Sequence, residues 1–128
     1  MQYYLAKAVD MSFDDAIDTV TARLKDEGFG ILTEIDVKET LKKKIDVDFH
    51  KYRILGACNP HLAHKALTSE DKVGVLLPCN VIVQESDAGN VEVAAMDPLA
   101  AMEAIANPAL TELATEVKTR LERVMAGM

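Results

Sequence analysis

Hydrophobic positions along this chain follow two periods, and the switches between them mark the elements. Tyr3 to Val9 is largely apolar and stops at Asp10, which predicts a strand. Phe13, Ala16, Ile17, Val20 and Leu24 then recur at helical steps, with Asp18, Thr21, Lys25 and Asp26 on the other side. Ser12 suits the N-cap of that helix, and Asp14 and Asp15 suit its first turn. Gly28 is a left-handed stop, and Phe29 after it can fold back on the last turn. The helix therefore runs from about residue 12 to 27, and Phe29–Ile35 is the second strand.

Asp36 followed by Glu39 resembles a capping box, and Val37, Leu41 and Ile45 share one face of a short helix. A polar loop over 46–51 leads to a third strand, Tyr52–Cys58. Asn59-Pro60 opens two helical turns, with proline at the first helical position. Val73 to Glu85 reads as one long strand broken by Pro78, which argues for an edge, a bulge or a bend there. Asp87-Ala88-Gly89-Asn90 is a hairpin turn into the strand Val91–Met96. Asp97-Pro98 and Asn107-Pro108 each open a helical stretch, and Leu110, Leu113, Ala114, Val117, Leu121 and Val124 form a stripe along the second. The hairpin makes part of the sheet antiparallel. The fold class is α+β, with about five strands and two long amphipathic helices on one face, in a single domain over residues 1–128.

Composition narrows the function classes. With 14 Lys+Arg against 21 Asp+Glu the formal charge is −7, the wrong sign for a protein that neutralises phosphates, so no nucleic-acid partner is expected. The excess acid is uneven: residues 1–64 hold 9 basic and 11 acidic side chains, residues 65–128 hold 5 and 10. Lys38, Lys42, Lys43 and Lys44 form the basic cluster and read as a solvated helix face. The N-terminus lacks the pattern of a signal peptide and the longest apolar run is too short to span a bilayer, so the expected location is the cytoplasm. Cys58 and Cys79 are then expected as free thiols.

Two stretches are less generic than the rest. Tyr52-Arg53-Ile54-Leu55-Gly56-Ala57-Cys58-Asn59-Pro60 and Leu76-Leu77-Pro78-Cys79-Asn80-Val81 resemble the signature segments of domain-of-unknown-function family 302, with support from Gly30–Lys38 and Asp97-Pro98. The resemblance covers nearly the whole chain. It implies a curved, mostly antiparallel sheet similar in outline to the TATA-binding-protein-like fold, and a homodimer. It brings no catalytic residues with it.

The same stretches hold the candidate chemistry. Each cysteine ends an apolar segment and is followed by asparagine, and Cys58 stands before a helix start, where a thiolate or anion is favoured. His61 and His64 share a face of that helix. One reading is a non-enzymatic module that binds a small anion, a thiol compound or a soft metal through Cys58, Asn59, His61, Cys79 and Asn80. The plainer reading is a structural or interaction domain whose cysteines are small core residues. The third is a cysteine enzyme with His61 as base. The spacing is loose for a zinc site, and the sequence identifies no cofactor. Glu34 and Asp36 are read as strand-end acids, and the Ala-rich segment around Met96 and Met102 as core or a subunit contact.

Overall fold

Short polar side chains fix where the helices begin. In the computed structural model, which describes residues 2–128, Ser12 Oγ accepts from the Asp15 amide at 3.1 Å and starts α1 (Phe13–Asp26). Asp36 does the same for the Glu39 amide at 3.0 Å and starts α2 (Val37–Ile45). Asn59, Asp97 and Asn107 start α3 (Pro60–Ser69), α4 (Pro98–Ala101) and α5 (Pro108–Ala126), each with proline in the first turn. The end of α1 is equally local. Gly28 has φ +88°, its amide donates to Lys25 O, and the Phe29 amide donates to Leu24 O, which buries the Phe29 ring.

The strands are β1 (Tyr4–Val9), β2 (Gly30–Asp36), β3 (Tyr52–Cys58), β4 (Cys79–Glu85) and β5 (Val91–Met96). They form one antiparallel sheet in the order β1-β5-β4-β3-β2. Leu55, Ala57, Val81, Val83, Val93 and Ala95 point to the face covered by α1 and α5, where Ala16, Val20, Leu24, Leu121 and Val124 meet them as the main core. This is the α+β architecture with two long helices on one face.

One element differs from expectation. Val73–Leu76 is a short 3-10 turn, and strand pairing begins only at Cys79. Pro78 has no amide proton to give a ladder, and Val73 is fully buried against Ala66 and Leu110, a second and smaller apolar cluster under α3 and α5. An uninterrupted apolar run does not by itself distinguish a buried strand from a buried turn. A second irregularity lies in β2, where the register shifts between Ile31 and Thr33 and leaves Leu32 unpaired and exposed.

The basic cluster is engaged locally. Lys42 reaches Asp46 at 2.9 Å and Asp48 at 3.2 Å, Lys43 reaches Glu39 at 2.6 Å, and Lys38 donates to Phe49 O. Arg53 binds both Glu34 and Asp36, so that pair of acids serves an ion pair. Among the described residues no helix is long and apolar enough to cross a membrane.

Candidate functional site

The two apolar clusters do not merge. Between them, at the end of the sheet where β3 stops and β4 starts, lies a chamber of about 340 Å³. Phe29 and Ala57 of the main core face Ala66 and Leu110 of the smaller one across it, with Leu62, Leu77, Pro98, Met102, Leu113 and Val117 closing the walls. Protein interiors are normally close-packed, with few voids larger than a water molecule. The space here follows from small residues at facing positions: Ala57, Ala63, Ala66, Gly74 and Ala114. Leu32, pushed outward by the irregularity in β2, and Leu67 on α3 are both exposed and mark the mouth. A larger hollow of about 620 Å³ between α3 and α5 has a more polar lining that includes His64, Lys65, Glu112 and Glu116.

Cys58, Asn59 and Cys79 stand in the chamber wall. Cys58 is half-buried at the last position of β3. Asn59 is buried, and its Oδ1 accepts from the Leu62 amide at 3.3 Å, so its carbonyl end is committed to capping α3. A Cβ at Gly28 would stand 2.9 Å from Asn59 Nδ2, a second reason for glycine there. Cys79 is buried opposite Ala57. Its burial, and then the charge that Cys58 would carry, push its thiol up from the ordinary 9.0 to about 11.

The other candidates lie elsewhere. His61 is exposed on α3 and is not part of the chamber wall; His64 is exposed on the neighbouring hollow. Asn80 follows Cys79 in a strand, so it points to the opposite face of the sheet, beside Tyr3, Tyr4 and Tyr52. Among the described residues no group of three or more His, Cys, Asp or Glu side chains is placed to hold a metal ion. The wall residues that belong to no motif, signature segment or apolar stripe of the sequence are Leu62, Ala63, Ala66, Leu67 and Gly74, while Leu32, Leu77, Pro98, Met102 and Leu113 lie in such stretches without standing out. Asp97 is what holds two of the others in place. It is buried, caps α4 through the Leu99 and Ala100 amides, and accepts from Lys118 Nζ at 2.9 Å, which ties Pro98 and Met102 to α5. Burial opposes its charge, but the ammonium and the two amides outweigh that and hold the carboxyl below its ordinary value.

A raised thiol pKa is a statement about stability. Above pH 9 the unfolded chain releases the Cys79 proton while the folded chain keeps it, so the unfolded state is favoured until the folded group also titrates near pH 11. Urea unfolding is expected to show the Cys79 contribution intact below pH 9 and a loss of about 2 kcal/mol across pH 9–11. Cys79→Val should remove that slope; an unchanged slope would show that Cys79 is not its source.

A crystal structure of an uncharacterized conserved protein DUF302 from Bacillus stearothermophilus is similar to this chain, with a TM-score of 0.92 and 29% identity over 99% of this chain and 98% of that one. No curated protein matches the chain. The model for "Domain of unknown function DUF302" matches residues 5–128, and the chain therefore belongs to that family.

Proposed function

We propose that this protein is a non-enzymatic, homodimeric module that holds a small, mainly apolar molecule in the chamber beside Cys58 and Cys79. The observation that carries the reading is the chamber itself, a half-open, almost wholly apolar hollow of about 340 Å³ between the two apolar clusters. A cavity of about 150 Å³ lined by aliphatic residues binds benzene, so this one has room for roughly twice that. The lining favours an apolar occupant over a free anion. Its polar members are two thiols and an amide whose oxygen is already used. A catalytic reading lacks a base, because His61 is exposed and outside the wall.

The homodimer part is supported by the face of the sheet opposite α1 and α5. Tyr4, Ala6, Ala8, Ala94, Met96, Ile82, Ile54 and Ile35 point that way, and Glu92 is the charged residue among them, its Oε1 taken by Gln84 Nε2. For a chain of net charge −7, a nearly uncharged face is where a second copy meets the least repulsion.

The test is uptake of the neutral fluorescent probe N-phenyl-1-naphthylamine. Wild type should bind one probe per chain. Ala114 is 2% exposed in the chamber wall, and Ala114→Phe points a ring into the space. It should weaken uptake at least tenfold while the unfolding midpoint changes little. Unchanged uptake by folded Ala114→Phe would place the probe elsewhere. Sedimentation equilibrium of the same samples should give twice the chain mass; a single-chain mass removes the homodimer part.

A further inference from the structure

Two thiols in one wall of an apolar chamber ask for more than packing. Ala57 pairs directly with Cys79 across β3 and β4, and Cys58 is the next residue along. A lateral Cα spacing of about 5 Å and a rise of about 3.4 Å put the two cysteine Cα atoms about 6 Å apart. Successive strand residues normally point to opposite faces. Cys58 is still paired with Gly30 as the last residue of β3, the chain then turns into the cap of α3, and the chamber at this end of the sheet is lined by both cysteines. Both thiols are free. Cys79 is 8% exposed at the chamber wall, and Cys58 is the more accessible of the two.

We infer that the natural ligand carries a soft, thiol-seeking centre on its apolar body, and that Cys58 and Cys79 grip that centre together. The inference rests on the chamber being a ligand site. A trivalent organoarsenical, R–As=O, represents the chemistry. Each thiol gives up its proton, two As–S bonds form, the As=O bond breaks, and the oxygen leaves as one water. Arsenic stays trivalent and neither sulfur is oxidised, so no oxidant or reductant enters. The more accessible Cys58 makes the first bond and Cys79 closes the ring. The organic group occupies the apolar space, which is large enough for an aryl ring and its arsenic. One isolated buried thiol would offer none of this and would behave as a small apolar residue.

Phenylarsine oxide tests the inference on the intact chain. Intact mass should show one adduct per chain, equal to the arsenical less one water, and both thiols should be lost to a thiol dye after denaturation. Cys58→Ala and Cys79→Ala should each weaken capture at least tenfold, with circular dichroism confirming the fold. On wild type, N-phenyl-1-naphthylamine should compete with the arsenical, which keeps the test open if either variant fails to fold. Capture unchanged in both folded variants, or an adduct leaving one thiol free, overturns the inference. If the naphthylamine probe still binds in that case, the chamber reading survives; if it does not bind, both readings fall.

Discussion

Leu110→Ala lowers the stability of this protein by about 3 kcal/mol and changes what its chamber holds. Leu110 is 1% exposed and belongs to two structures at once. It is a main member of the smaller apolar cluster, touching the region of Ala66 and Val73, and it is part of the chamber wall. Truncating a buried leucine removes its transfer free energy and leaves a cavity whose cost depends on how far the surroundings collapse. Collapse is hindered here, because the missing atoms border a space that is already open. The new void joins the chamber, so the loss should fall in the middle of the roughly 2–5 kcal/mol range for such changes and not at its lower end. Leu121→Ala is the control. Leu121 is fully buried in the main core and is not part of the wall. It should reduce stability by a similar amount in urea unfolding but leave N-phenyl-1-naphthylamine affinity unchanged in the folded fraction. Leu110→Ala should shift the preference toward bulkier naphthylamines. Equal effects of the two substitutions on probe binding would mean that the chamber does not set ligand size.

The features of this fold that are legible in the amino-acid sequence are local ones. Ser12, Asp36, Asn59, Asp97 and Asn107 cap helices within three residues of themselves, so the signal and its consequence share one short window. Gly28 and Phe29 end α1 for the same reason. The Val73–Leu76 turn is not legible in this way, since an apolar run takes its conformation from what it packs on, and Val73 packs on residues of α3 and α5. Sheet order is also out of reach of local pattern, because β1 pairs with β5 from the far end of the chain.

The site divides along the same line. Cys58, Asn59 and Cys79 stand out in the sequence because both junctions put a cysteine where a strand meets a new element, and the sheet brings those junctions side by side. His61 and Asn80 join them only through sequence adjacency, which is not adjacency in space. Alternation along β4 sends Cys79, Val81 and Val83 to the helices and Asn80 to the open face. That alternation is present in the sequence and separates Asn80 from Cys79. The void is not present in it. It comes from alanines on α3, α5 and β3 that face one another only once folded, and Leu32 reaches its mouth through a register shift that no local pattern announces.

Gly56→Ala should lower stability by about 2–4 kcal/mol, far more than the same change at Gly30, where an added Cβ meets nothing within 4 Å. Gly56 sits in β3, paired with Thr33 on one side and Asn80 on the other. A Cβ built there would overlap Thr33 Oγ1 and stand 2.8 Å from Pro78 Cγ. The threonine hydroxyl can rotate away, but Thr33 Cβ remains at 3.4 Å, and the proline ring has no such freedom. Pro78 is part of the chamber wall and the next residue is Cys79, so the displacement is delivered to the ligand site. Urea unfolding should therefore show a lower midpoint, and N-phenyl-1-naphthylamine uptake by the folded fraction should fall as well. Thr33→Ala in the Gly56→Ala background separates the two clashes. It removes the hydroxyl, so it should restore part of the stability while leaving the proline contact and the weakened uptake. Full recovery of both properties in that double variant would show that Pro78 is not the limiting contact and that the chamber wall tolerates its movement.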